Sequence, residues 1–182
     1  SVKSKLSLFS NVKEEAIIEN VTVSSIYDVP LKLEEAGLGS VICKTFDIED
    51  RRCDLDKWKE ITKLYHNPTK RVSIAIVGKY VELQDAYLSV MEALTSAGIA
   101  HKVGIDIVWV DSKNLKTEED VKLALKDVQG ILVPGGFGKN GIEGMFLACK
   151  YARENNIPYL GICLGMQVAL IEYARNVLGI KE

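Results

Sequence analysis

Apolar runs alternate with amphipathic stretches from Val72 to Leu178, and this rhythm constrains the fold more than any other feature of the sequence. Residues 73–78, 105–110, 131–133 and 158–162 read as strands, and residues 85–98, 118–126, 141–155 and 163–178 as helices. Strand followed by helix, repeated in this way, predicts an α/β fold: an open, mostly parallel, doubly wound sheet with helices on both faces. In the first of these helices Ala86, Val90, Ala93, Leu94 and Ala97 fall on one stripe, and Gly98 reads as its stop. Open sheets of this kind bind ligands at the carboxyl ends of their strands, here the loops after Gly78, Val110, Val133 and Ile162.

The N-terminal third does not follow the rhythm. Residues 5–9 alternate like a strand, Val21-Thr22-Val23 is a short β-prone run, and residues 25–36 predict a helix. An apolar run at 41–48, a charged turn at 47–54 and a helix over 55–65 with Trp58, Ile61 and Leu64 on one side complete the block. His66-Asn-Pro-Thr-Lys-Arg71 is polar and contains proline, so the boundary is placed there, with residues 67–71 as linker between 1–66 and 72–182.

Charge narrows the partners. With 23 basic against 25 acidic side chains the formal net charge is −2, which leaves no surplus for a polyanion, so nucleic acid is not an expected partner. No apolar run approaches the roughly 20 residues that span a bilayer, and residues 1–9 lack a signal-peptide core, so no membrane association is expected and a cytoplasmic location is. The four cysteines, Cys43, Cys53, Cys149 and Cys163, match no zinc spacing and are too sparse for a disulfide scaffold.

One cysteine stands out by context. Gly161-Ile-Cys163-Leu-Gly165-Met-Gln167 follows an apolar strand and opens a helix, the setting of a nucleophile elbow with cysteine in place of serine. So tight a turn brings strand and helix together, and glycines two residues to either side relieve the clash and leave the sulfur exposed. The helix N-terminus beside it favours the attacking thiolate. Pro134-Gly-Gly-Phe-Gly138 follows the strand at 131–133 and reaches the same sheet edge. Acyl transfer needs two donors aimed at the developing oxyanion, and the Leu164 N–H with one from this loop would supply them. A phosphate loop is disfavoured, because Gly138-Lys139-Asn140 lacks the Gly-Lys-Ser/Thr ending and no Gly-x-Gly-x-x-Gly follows the first strand. The histidines, His66 and His101, follow no strand at the active edge and read as solvated surface residues, so the base is expected elsewhere.

These motifs resemble the class I glutamine amidotransferases. Ile76-Val-Gly-Lys-Tyr-Val-Glu-Leu-Gln-Asp-Ala-Tyr-Leu-Ser-Val-Met-Glu-Ala-Leu94, Leu8-Phe-Ser-Asn-Val12, Ser25-Ile-Tyr-Asp-Val-Pro30 and Asn155-Asn-Ile-Pro-Tyr-Leu-Gly-Ile-Cys163 narrow the resemblance to the CTP synthase family within them, over the whole chain. The resemblance implies a ligase that hydrolyses glutamine at the cysteine and channels ammonia to a second site, where UTP is aminated to CTP with ATP and magnesium. It implies Cys163 as the catalytic nucleophile. Gly136, Leu164, Gly165, Met166 and Gln167 would bind glutamine and line the oxyanion hole, Lys5 would contact UTP or the inhibitor CTP, and Val21, Thr22 and Val23 would contact the adenine of ATP. GTP is implied as allosteric activator, and a homotetramer able to stack into filaments as the assembly.

The family's remaining parts are expected outside this sequence: the P-loop and magnesium carboxylates of a P-loop-type synthetase domain before Ser1, and the triad His and Glu after Glu182. Residues 1–66 would then be the tail of the synthetase domain and 72–182 the first half of the glutaminase domain, inactive and aggregation-prone in isolation. Leu88 and Asn140 stand where many relatives carry Lys and Arg near the GTP-responsive loops. A cysteine hydrolase on the same elbow, such as the peptidase or deglycase relatives, and a non-catalytic assembly module are the alternatives. Cys149 reads as core, on a stripe with Met145 and Ala152, and Cys53 as an exposed turn residue. Lys79-Tyr80, after the first strand, reads either as a contact with the other domain or an effector, or as plain surface.

Overall fold

The structure, a computed structural model, describes residues 1–180 and divides into two compact units, Ser1–Asn67 and Pro68–Glu182. The first unit is helical: α1 (Val2–Ser10), α2 (Val29–Glu35), α3 (Leu38–Thr45) and α4 (Asp56–His66). The strand expected at 5–9 is helix α1. Its N-terminus is capped, since the Ser1 hydroxyl accepts from the Ser4 N–H at 3.1 Å, and the Ser7 hydroxyl holds the chain just past the helix by donating to the Val12 carbonyl at 2.6 Å. The apolar run at 41–48 is largely α3, and Val21, Thr22 and Val23 carry no strand pairing. Residues 25–36 are a single 3-10 turn, Ile26–Asp28, leading into α2.

Tyr27 organises this unit. Its carbonyl accepts from the Trp58 indole at 2.8 Å and from the Thr62 hydroxyl at 3.3 Å, while its ring packs 5.0 Å from that of Tyr65. His66 is not simply solvated: its Nε2 lies 3.0 Å from both carboxylate oxygens of Asp28, and the hydrogen bond from His66 holds the Asp28 carboxyl below its usual range.

The second unit is the expected α/β sheet. It consists of β1 (Lys70–Gly78), α5 (Leu88–Ala100), β2 (Val103–Asp111), α6 (Glu118–Leu125), β3 (Gly130–Val133), α7 (Ile142–Glu154), β4 (Tyr159–Gly161) and α8 (Leu164–Asn176). The strands run parallel in the order β2-β1-β3-β4, with Ala75 opposite both Val108 and Ile131. Period-2 alternation sends Ala75, Val77, Ile131 and Val133 to one face, where they meet Val121 and Leu125 of α6, Met145, Ala148 and Ala152 of α7 and Val168 of α8. Ile76 and Leu132, on the other face, are as fully buried. Both faces are therefore covered at the centre of the sheet, which is why its strands read as unbroken apolar runs.

Gly98 is not a helix stop. It lies inside α5, where a Cβ would press to 2.6 Å from the Val103 carbonyl oxygen and 2.8 Å from Ile105 Cγ1, so its small size lets the helix lie against β2. Ala86, Ala93 and Ala97 of the expected stripe are exposed; the face turned inward carries Tyr87, Val90, Leu94 and Gly98. Cys149 is in the core with Met145 and Ala152, and Cys53 is exposed, both as expected.

Candidate active site

The strand order reverses between β1 and β3, so the crevice at their carboxyl ends is the place where a parallel sheet leaves room for a ligand. Three segments meet there: Lys79 after β1, the loop 134–138 after β3, and Cys163 after β4.

Cys163 sits between β4 and α8 with φ 54° and ψ −106°, a backbone conformation that side chains other than glycine's rarely adopt. The flanking glycines make this possible. A Cβ on Gly161 would collide with the Gly165 backbone and stand 2.6 Å from the Met166 nitrogen, and a Cβ on Gly165 would overlap the Val133 carbonyl. The turn is closed by its own hydrogen bonds: Gly165 N–H to the Ile162 carbonyl (3.0 Å), and Met166 and Gln167 N–H to the Cys163 carbonyl (3.1 and 3.2 Å). The Ile162 N–H donates to the Val133 carbonyl at 2.9 Å, joining the turn to β3. Cys163 is exposed, Leu164 is half-buried, and Met166 and Gln167 face outward.

The glycine loop lies directly against the cysteine. The absent Cβ of Gly135 would sit 3.5 Å from Cys163 Cβ and 4.0 Å from its sulfur, while that of Gly136 would sit 3.5 Å from Leu164 Cδ2. Gly138 adopts φ 73°, which its lack of a side chain permits, and the Phe137 ring is exposed.

Lys79 is not a surface residue, whereas Tyr80 is exposed. Only 4% of Lys79 is exposed, and its ammonium donates to the carbonyls of Phe137, at 3.2 Å, and Gly138. Tyr80 is fixed alongside it, its N–H donating to the Tyr87 hydroxyl at 3.1 Å; that hydroxyl occupies the space a Cβ on Gly78 would need. The position of Lys79 after a strand-ending glycine was visible in the sequence, but the reach of its side chain was not.

His101 follows α5 and precedes β2, at the amino end of the strands and so at the opposite sheet edge from Cys163; His66 belongs to the other unit. Leu88 is the exposed first residue of α5, and Asn140 lines an open cavity with Ser112, Lys113, Lys116 and Lys139. In the first unit Lys5 is an exposed residue of α1. Val23 lines another cavity with Ser24, Asp28, Lys32, Glu35 and Lys59. Among the described residues no group of three or more His, Cys, Asp or Glu could hold a metal ion. No described helix is long and apolar enough to cross a membrane.

A thiol on a strained strand-to-helix turn is faced by a glycine loop, and both lie within residues 82–182, which match the family model described as glutamine amidotransferase class-I. The chain belongs to the class I glutamine amidotransferase family. The member of that family it matches is CTP synthase. Residues 1–48 match the model described as CTP synthase N-terminus, and the whole chain is 60% identical to the CTP synthase of Treponema denticola, covering 34% of that protein. It is 51% identical to the CTP synthase of Ruminiclostridium cellulolyticum over 100% of the chain and 34% of the relative, and 49% identical to that of Methanocaldococcus jannaschii over 99% and 34%. Among solved structures it is similar to the glutaminase domain of Trypanosoma brucei CTPS with bound acivicin, with TM-score 0.55 and 48% identity over 59% of this chain and 42% of that one. The chain thus spans about a third of the length of the curated relatives it matches.

Proposed function

We propose that this chain supplies the nucleophile side of the glutaminase site of a CTP synthase. The observation that carries the reading is Cys163 at φ 54° with the Gly135-Gly136 segment against its side chain. Cys163 Sγ attacks the side-chain amide carbon of glutamine, the C–N bond breaks, and the thiol proton leaves on the nitrogen as ammonia. Water then hydrolyses the glutamyl thioester, its hydroxyl completing glutamate and its proton returning to sulfur. The closed turn leaves the Leu164 N–H, the first of α8, to face the oxyanion together with an N–H of the glycine loop around Gly136. Gly165, Met166 and Gln167 complete the glutamine cradle by their place on the first turn of α8. No base is assigned from the described residues.

The synthetase half of the reaction belongs to the same proposal. The ammonia is passed to UTP in an ATP-dependent amination that makes CTP, in a cytoplasmic homotetramer activated by GTP. Lys5 would contact UTP or CTP, and Val21, Thr22 and Val23 would contact ATP. No step is derived through magnesium. Leu88 and Asn140 stand in place of cationic side chains near the GTP-responsive loops, so the GTP response is the part of this reading in which the chain departs from many relatives.

The test is treatment of the full-length enzyme with a chloroketone analogue of glutamine, followed by peptide mass mapping. Cys163 should be alkylated selectively, with protection by glutamine, and Cys163→Ala should abolish glutamine hydrolysis. Cys149 is the internal control, since burial pushes its thiol up to about 11 and keeps it protonated and inert. Labelling of Cys163 no faster than that of exposed Cys53, or hydrolysis surviving in Cys163→Ala, would overturn the reading.

A further inference from the structure

Lys79 presents an energetic problem that the elbow alone does not explain. It is 4% exposed, yet among the described residues no carboxylate lies within ion-pair distance of its ammonium. An ammonium removed from water without a counter-charge is expensive, and burial holds its pKa below the ordinary lysine value. What it receives in return is two backbone carbonyls, those of Phe137 and Gly138.

Those two bonds orient the loop. The peptide bonds of the described chain are trans, so each carbonyl and the N–H of the same peptide unit point in opposite directions. With the Phe137 and Gly138 carbonyls turned onto Lys79, the N–H groups of Gly138 and Lys139 point away from it. The stem of the same side chain supports the preceding residue, for a Cβ on Gly136 would touch Lys79 Cδ at 3.5 Å as well as Leu164 Cδ2. Lys79 therefore fixes three consecutive residues of a loop that glycine would otherwise leave free to rotate.

We propose that Lys79 is a positioning residue for glutamine hydrolysis, the internal strut that sets the peptide planes of the 134–138 loop against Cys163. The inference rests on the glutaminase reading above. Oxyanion donors work only when pre-aligned, so removing the strut should lower turnover while leaving the glutamine-binding first turn of α8 intact.

The experiment compares wild type, Lys79→Met, Lys79→Arg and Cys163→Ala in the full-length enzyme, measuring glutaminase kcat and KM together with thermal unfolding. Lys79→Met keeps the stem and removes the donor. Its kcat should fall between about 10- and 100-fold, short of the roughly 10²–10³-fold cost of deleting an oxyanion donor outright, with KM changed less than about threefold. Lys79→Arg, which restores charge and donors, should recover most of the loss. Wild-type kcat in Lys79→Met, or a loss that only tracks the unfolded fraction and is not rescued by arginine, would overturn the proposal. If Lys79→Met does not fold, Lys79→Gln, which keeps a shorter donor without the charge, decides: a lowered kcat at unchanged KM in the folded variant supports the strut, and wild-type kcat, or unfolding of this variant as well, overturns it. Absence of hydrolysis in the wild type, or its survival in Cys163→Ala, would instead defeat the glutaminase reading itself.

Discussion

The Tyr159 hydroxyl donates to the carbonyl of Gly165 at 2.8 Å, so the residue that begins β4 clips the first turn of the helix that follows Cys163. Cys163 lies between the two ends of this clip. Tyr159→Phe deletes only the hydroxyl and should cost about 1 kcal/mol of stability, the net worth of one hydrogen bond. Denaturant unfolding of the variant checks the figure, and an unchanged midpoint would mean that the turn holds without the clip.

Gly161 and Gly165 fail alanine for a steric reason that no rotamer can relieve, because the obstructing atoms are backbone. Gly165→Ala should destabilise by about 3 kcal/mol or more, and Gly161→Ala similarly. Gly136→Ala meets only ordinary van der Waals contacts, so it should unfold within about 1 kcal/mol of wild type while raising the KM for glutamine. Thermal melts paired with glutaminase kinetics separate the two classes.

Cys163 pays for its exposure in backbone strain. Cys163→Gly should abolish glutamine hydrolysis and yet raise the stability of the fold by roughly 1 kcal/mol, since glycine adopts φ 54° without penalty and such strain is of order 1–3 kcal/mol, partly offset by the freedom glycine gains when unfolded. A melting temperature below wild type would show that the turn is not strained.

Glu172 of α8 is 1% exposed and is held by Arg153 of α7, with Nη2 at 2.8 Å and Nε at 3.1 Å, and by the Asn176 amide at 3.0 Å. Burial opposes its ionisation, but the bonds from Arg153 and Asn176 outweigh it and the carboxyl lies below its ordinary value of 4.5. A carboxyl lowered by folding stabilises the native state fully above its unfolded value, and that contribution is lost as pH falls through the folded value. The pair between α7 and α8 should therefore weaken below about pH 4.5. Glu172→Gln should be destabilised by about 1–2 kcal/mol at pH 7, less than for a fully desolvated pair because Arg153 remains about one-third exposed, and should converge on wild type in acid. Urea titrations at pH 7 and at successively lower pH measure the difference and its loss.

The sheet and the elbow were legible because each follows from a local rule. Residues 131–133 had to be a strand buried on both faces, and Gly161-Ile-Cys163-Leu-Gly165 had to be a tight turn. Residues 5–9 misled because alternation signals a strand only where a neighbour accepts the backbone bonds; here Ser1 and Ser10 satisfy them inside a helix, and Leu8 and Phe9 remain exposed. Gly98 was misread because glycine marks both helix ends and close approaches, and only the position of Ile105 distinguishes them. The role of Lys79 was beyond any pattern, since it depends on which loop the sheet order places beside β1.

The strand order carries one further consequence. Each pairing joins strands that are consecutive in the chain or separated by a single intervening strand, so the sheet can assemble in the order in which it emerges from the ribosome, with β4 added after β3. The strained backbone of Cys163 is thus a product of the assembled sheet, since it needs β4 docked on β3 and the glycine loop beside it.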